Sequence, residues 1–507
     1  MRTIKAANLP LQTPSLRLML FALMVSFATH LPLMAQTTSG PATGKVFQAG
    51  AYMSNITPPL GEPIVGNWDS PPATYIHDQL HAKTLILDDG ETRLAFVLVD
   101  NVGIKREVFD EAKRLVHEET GLSEDHMLMA ATHTHSAISA EGKGLSRRGW
   151  QGENPLDDYQ SFLARRIADG VRVAMGNLEP AKIAWGAGDV PQHVFNRRWL
   201  MKNPVMSPLG VMDKAKMNPG VENPELLEPA GPTDPEVSFI ALQAADGRPI
   251  AVLGNYSLHY VGGVPEGHIS ADYFAVFGDR MQELLGADRQ EPPFVGILSN
   301  GTSGDVNNIN FRGPAEKKAP YEKMNIVAHD VADEVLRVYQ TLEFQDWALL
   351  GAAQSNLMLK VRRASPEVMA NMEKVRAQTE SDEPLFHPLE KTYAQRIAQL
   401  EAEWPDEIEI ILQTFRIGDL GIAAIPFETF TETGLEIKEK SPFKQSFTIE
   451  LANGSYGYLP TPEQHQLGGY ETWLGTNRVE IEASTKIVAE LMSLFEATLG
   501  TVTKGEE

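Results

Sequence analysis

The residues best placed to do chemistry are His133 and His135, in the stretch Met127-Leu-Met-Ala-Ala-Thr-His-Thr-His-Ser136. An apolar run ends abruptly there in two imidazoles separated by one threonine. If the run is a strand, side chains two apart leave the same face, so both rings project together from its end. Strand ends are where α/β proteins tend to place binding groups. Neutral imidazole is a common zinc ligand, and a His-x-His pair can supply one ligand and a second base beside it. A further histidine, His259, follows the apolar run 250–255 in the same way. The run 294–299 opens into Asn300-Gly-Thr-Ser-Gly-Asp-Val-Asn-Asn308, a polar loop whose glycines let backbone amides approach a ligand. Pro426-Phe-Glu428 and the Gly-, Tyr- and Pro-rich stretch 453–470 are two more polar segments of this kind.

The elements that must position these residues alternate between strand and helix. Residues 81–87 and 94–100 are β-rich runs around Asp88-Asp-Gly90, a strong hairpin signal. Asp100 ends the second run, either as a polar site residue or as the cap of the next helix. Helical spacing follows over 105–119, with Val108, Phe109, Ala112, Leu115 and Val116 on one face and Gly121 as the stop. A second amphipathic helix covers 159–175, with Tyr159, Phe162, Leu163, Ile167, Val171 and Ala174 on its buried side. Residues 196–235 are rich in Pro, Asn and Met and predict a long irregular region, a candidate lid. Hairpins follow at 237–255, around Asp246-Gly247, and at 407–425, with a surface helix pair at 365–403 and a terminal helix at 484–499. The order predicts an α/β fold of mixed sheets layered with helices, its metal cleft at the strand ends.

Composition narrows the function class. The formal charge of −23 argues against a nucleic-acid partner, which needs a basic face. The chain of 507 residues has no cysteine, which excludes disulfides, thiolate nucleophiles and thiolate-bound zinc. Arg2, Lys5 and Arg17, the short apolar core 18–28 and the small-residue site at Ala35 predict an export signal over 1–35. A flexible leader over 36–47, a catalytic unit over 48–499 and a tail over 500–507 complete the expected organisation.

Asn55-Ile-Thr-Pro-Pro59, His77-Asp78, Thr132-His-Thr-His-Ser136, Asn196-Arg197, His259, Gly304-Asp-Val306, Pro426-Phe-Glu428, Tyr458 and Tyr470 together resemble the neutral/alkaline non-lysosomal ceramidases. The pieces occur in that family's order across nearly the whole mature chain. The resemblance implies an exported zinc amidase that cleaves an N-acyl bond, with Zn²⁺ held by His133, His259, Glu428 and Tyr458. It implies catalytic roles for His135, Arg197 and Tyr470, and substrate contacts from Asp305 and Asn307. The implied partner is a small lipid-like amide, with peripheral contact to a membrane surface. Zinc lowers the pKa of bound water to about 7, so no serine nucleophile is needed.

Three departures from the family pattern bear on function. Asn307 stands where the family carries a serine, Tyr260 follows His259 where the family prefers proline, and the chain ends where the family's C-terminal β-sandwich is expected. The alternative is a homologue that binds metal and ligand with altered specificity or without turnover. A metallo-β-lactamase-like site is excluded, because Ser136-Ala-Ile follows the histidine pair in place of Asp-His.

Overall fold

Eight strands make the larger sheet. They are β1 (Gln48–Asn55), β2 (His81–Asp88), β3 (Arg93–Val99), β4 (Met127–Ala131), β5 (Glu179–Asp189), β6 (Glu236–Ala244), β7 (Pro249–Tyr256) and β8 (Val295–Asn300). Their spatial order is β8-β7-β6-β5-β1-β2-β3-β4. The smaller sheet has β9 (Leu350–Lys360), β10 (Glu407–Ile417), β11 (Leu420–Ile425) and β12 (Gln445–Glu450), in chain order. The computed structural model describes residues 44–66, 69–142, 149–152, 154–379 and 381–500. The expected export segment, residues 36–43 of the leader and residues 501–507 of the tail lie outside them.

The period-2 alternation of strands assigns each face to its own core. Leu85, Leu87, Leu94, Phe96 and Leu98 point to the smaller sheet and pack with Phe415, Ile417, Ile422 and Phe447. The rings of Phe96 and Phe415 meet across this layer at 5.2 Å. Each such ring, fully buried, contributes roughly 1.5–3 kcal/mol relative to leaving it exposed. On the opposite face, Ile86, Val97 and Val99 pack with Val108, Phe109, Leu163 and Ile167 of helices α1 (Arg106–Thr120) and α2 (Asp158–Gly176). Helices α3 (Asp272–Leu284) and α4 (Glu322–Tyr339) cover the other half of that face. The outer face of the smaller sheet carries α5 (Pro366–Arg376), α6 (Glu390–Glu403) and α8 (Ala483–Gly500), with α7 (Thr431–Lys440) between β11 and β12. The layers are therefore helix, sheet, sheet, helix.

One arrangement recurs three times: an antiparallel hairpin, a helix, and a strand returning parallel to the hairpin's second arm. It comprises β2-β3-α1-β4, β6-β7-α3-β8 and β10-β11-α7-β12. A parallel neighbour requires a crossover, and each crossover helix covers its own strands. The loops leaving these strands carry the candidate chemistry.

Two expectations are corrected. Residues 196–235 are not structureless, because Arg198–Met206, Met212–Met217 and Leu226–Pro229 form a three-stranded antiparallel sheet. Its pairings are short and shift register; Pro204 lies in the shift between Leu200 and Val205, and Pro229 ends its strand. Phe162 is 41 % exposed and stands outside the buried face of α2. That face is carried by Leu163, Ala164, Ile167, Ala168 and Val171.

Candidate metal centre

His133 and His135 converge, though not by strand alternation. Strand β4 ends at Ala131, and His133 adopts a left-handed backbone conformation, φ 69°. That turn brings the Nε2 atoms of His133 and His135 to 3.0 Å. His259, three residues past β7, meets His133 Nε2 with its own Nε2 at 3.0 Å. The other ring nitrogens settle the tautomers. His133 Nδ1–H donates to the Val102 carbonyl, and His259 Nδ1–H donates to the Ser303 carbonyl at 3.1 Å. With its Nδ1 carrying the proton, His259 turns the Nε2 lone pair toward His133 Nε2.

Glu428, three residues past β11, reaches the same point. Its Oε2 lies 3.4 Å from His133 Nε2 and 3.7 Å from His259 Nε2, and among the described residues no donor meets it in hydrogen-bond geometry. Burial alone would lift the carboxyl, but His133, Tyr458 and Arg197 together hold it below the ordinary range. Burial keeps the His259 imidazole well below its ordinary range, and His133, Arg197 and His135 act in the same sense. The result is an ionised carboxylate beside the neutral imidazole of His259. This donor set fits a divalent cation. Tetrahedral zinc ligands at 2.0–2.1 Å lie roughly 3.3 Å from one another, close to the spacings here. The distances do not separate His135 from the other two histidines, since all three offer a ligand atom within 4.8 Å of one another.

Tyr458 stands behind the carboxylate, in a two-residue parallel ladder where it pairs with Glu428. Its hydroxyl accepts from Arg197 Nη2 at 2.9 Å, and burial keeps the phenol well above its usual range, opposed by that guanidinium. Arg197 is 5 % exposed, and its Nε donates to Glu471 Oε1 at 2.9 Å. The neighbouring Arg198 donates to the other oxygen of Glu471 at 2.7 Å. Glu471, fully buried, is thus the shared counter-ion of two buried arginines. The sequence gives one signal for it: the tandem Arg197-Arg198 needs an acid, and Glu471 adjoins Tyr470.

A cavity opens beside the histidines and is lined by His133, His135, Glu428, Tyr458 and Tyr470. Its polar wall comes from Glu141, Ser455, Thr476 and Arg478, none of which the motifs single out. Ser455 Oγ donates to Glu141 Oε1 at 3.1 Å. Gly66 forms part of the floor, where a Cβ would come within 2.7 Å of His135. Tyr260, which follows His259, stacks on His135 with centroids 3.7 Å apart.

Asp305 and Asn307 are not among the residues lining this cavity. Asp305 is buried and accepts from Asn196 Nδ2 at 2.7 Å and from the Thr431 amide at 2.9 Å, while its carbonyl accepts from the Arg197 amide at 2.8 Å. Asn307 Nδ2 donates to Asn218 Oδ1 at 2.8 Å, and its Oδ1 accepts from the Ile309 amide at 3.0 Å. Asp100 neither lines the cavity nor caps α1; it accepts from the His81 amide at 2.9 Å and braces the sheet.

No protein-family model matches the chain. Among solved structures it is similar to a neutral ceramidase from Pseudomonas aeruginosa, with a TM-score of 0.66 at 16% identity over 90% of this chain and 74% of that one. A ceramidase complexed with C2 gives a TM-score of 0.64 at 15% identity over 90% of this chain and 75% of that one. The chain has the fold of these ceramidases.

Proposed function

We propose that this protein is an exported zinc-dependent amidohydrolase that cleaves the N-acyl bond of a sphingolipid-like or other amphipathic amide. The observation that carries the reading is the approach of His133 Nε2 and His259 Nε2 to 3.0 Å, with Glu428 Oε2 buried 3.4 Å and 3.7 Å from them. Such a cluster is costly without a cation, because buried like-poled acceptors repel at low dielectric. The ceramidase fold of the neighbours supports amide hydrolysis as the class of chemistry.

His133, His259 and Glu428 would hold the ion, with the Tyr458 oxygen as fourth ligand. When bound, zinc supplies a Lewis acid for the amide carbonyl and an activated water at neutral pH. The chain's own residues do the rest. Arg197 is not among the residues lining the cavity; fixed by Glu471 on one side and Tyr458 on the other, it lends positive charge from behind, through the Tyr458 hydroxyl to which it donates, as the carbonyl oxygen turns anionic. His135 lines the cavity, and through Nε2 it can carry a proton to the departing amine. Tyr470 lines the same cavity and orients the substrate. The polar wall of Glu141, Ser455 and Arg478 suits the polar end of an amphipathic amide, with the apolar tail toward solvent or a lipid surface.

The test measures zinc per chain by elemental analysis, and amine release from a panel of N-acyl amides before and after chelation. One zinc per chain and chelator-sensitive release support the reading, and His135→Ala should keep the zinc while losing turnover. Zinc without release from any amide favours a ligand-binding homologue, a reading consistent with Asn307 being engaged by Asn218 instead of facing the cavity. Sequencing the amino terminus of the secreted form tests export near Ala35.

A further inference from the structure

Behind the metal centre lies a carboxyl group that touches neither the cavity nor any candidate ligand side chain. Glu450 is the last residue of β12 and is fully buried. Its Oε1 accepts from Ser303 Oγ at 2.7 Å. Its Oε2 accepts from the Thr429 amide at 2.7 Å and, at 3.4 Å, from the Ser303 amide. Ser303 is the residue whose carbonyl fixes His259 Nδ1–H, and its hydroxyl lies 3.4 Å from that same nitrogen. Thr429 follows Glu428 directly. One carboxyl therefore joins the support of His259, on the larger sheet, to the loop of Glu428, on the smaller one.

The two loops cross closely at this point. The Gly304 amide donates to the Thr429 carbonyl at 2.8 Å, and a Cβ on Gly304 would stand 2.6 Å from the Glu428 carbonyl oxygen. Such a crossing leaves buried backbone and hydroxyl donors that need an acceptor from outside both loops. A carboxyl with two oxygens meets both loops at once.

We infer that Glu450 is a positioning residue that sets the spacing of His259 and Glu428 and so tunes metal affinity from behind the ligands. This rests on the proposed metal centre, and it adds a residue that no ligand motif contains. A glutamine preserves the geometry: its oxygen accepts from the two amides while its N–H₂ donates to Ser303 Oγ. An alanine removes both links.

The experiment measures zinc affinity of the full chain by competition with a chromophoric chelator. The visible spectrum of the Co²⁺-loaded protein reports ligand geometry. Glu450→Ala is expected to weaken zinc binding by ~10–100-fold, the usual effect of losing an outer partner of a ligand, and to shift the Co²⁺ bands. Ser303→Ala, which keeps the carbonyl to His259, moves both in the same direction by less. Glu450→Gln restores most of the affinity and the wild-type spectrum. If Glu450→Ala does not fold, Ser303→Ala and Glu450→Gln decide. Wild-type affinity and spectrum in folded Ser303→Ala overturn the inference, as does a Gln variant no better than Ala. Those results leave the metal centre standing, whereas a wild-type chain that binds neither Zn²⁺ nor Co²⁺ sinks both.

Discussion

Removing Glu471 tests whether the centre is built on paired, desolvated charge. The carboxylate accepts from Arg197 at 2.9 Å and from Arg198 at 2.7 Å, and the three side chains are 6 %, 0 % and 0 % exposed in the order Arg197, Arg198, Glu471. Glu471→Ala leaves two guanidiniums without their acid where water does not reach, and breaking a buried pair in this way costs roughly 3–5 kcal/mol. The two arginines are not equally exposed to the loss. Arg198 keeps Gln464 Oε1 at 3.2–3.3 Å and the Gly468 carbonyl at 2.7 Å, whereas Arg197 keeps, among the described residues, Tyr458 alone as a side-chain acceptor. Glu471→Gln retains one acceptor and turns an N–H₂ toward the other guanidinium, a loss of about one charged hydrogen bond, 1.5–3 kcal/mol. Urea unfolding followed by tryptophan fluorescence gives both values. The functional readout is separate: with Arg197 released, kcat falls while zinc content holds. A cost for Glu471→Ala below about 1 kcal/mol would refute the reasoning, because it would mean that the arginines are solvated or rearrange freely.

Gly66 has φ 120°, and a Cβ there would stand 2.7 Å from His135. Gly66→Ala should therefore displace the ring and cut turnover by at least ~10-fold, since misplacing a catalytic group by an ångström costs about 10²; unchanged kcat would mean that His135 takes no part. Burial lifts the Asp305 carboxyl to about 6 from 3.8, against the hydrogen bonds from Thr431. The folded state then holds this proton over pH 4–6 while the unfolded state has lost it, so Asp305 makes stability fall as the pH rises through that window, by on the order of 3 kcal/mol. The unfolding free energy of wild type relative to Asp305→Asn should accordingly be larger at pH 4 than at pH 7.5, and a flat difference would count against the lifted pKa.

The hairpins are legible because their signals are local. Asp88-Asp-Gly90 and Asp246-Gly247 mark turns, and the flanking runs are apolar throughout because both faces of the sheet are covered. The helix α4 was equally legible in principle: Met324, Val327, Ala328, Val331, Ala332 and Val335 keep helical spacing and are all buried. What local pattern does not carry is the direction taken after a strand stops. The alternation rule places His133 and His135 side by side on a strand, yet they meet only because His133 turns left-handed, a conformation that its sequence does not announce. The sheet within 198–229 was hidden because prolines and short, shifting pairings blur a period of two. Asn307 was expected in the cleft from its loop position and from the resemblance, but its carboxamide is engaged by Asn218, 89 residues earlier in the chain.

The candidate ligands nevertheless obey a rule that the fold makes visible. In the second and third hairpin–crossover units the last paired residues are Tyr256 with Asn300 and Ile425 with Glu450. His259 and Glu428 each stand three residues beyond the hairpin arm in that pairing. In the first unit the pairing ends at Val99 with Ala131, and three residues beyond Val99 is Val102, whose carbonyl orients His133. Three equivalent positions thus meet at one point and supply an imidazole, a carboxylate and the carbonyl that fixes a second imidazole. The equivalence is one of backbone path, since the three residues share no side-chain chemistry. Motif spacing could name His259 and Glu428 one at a time; only the shared strand register explains why residues so far apart in the chain arrive at the same point.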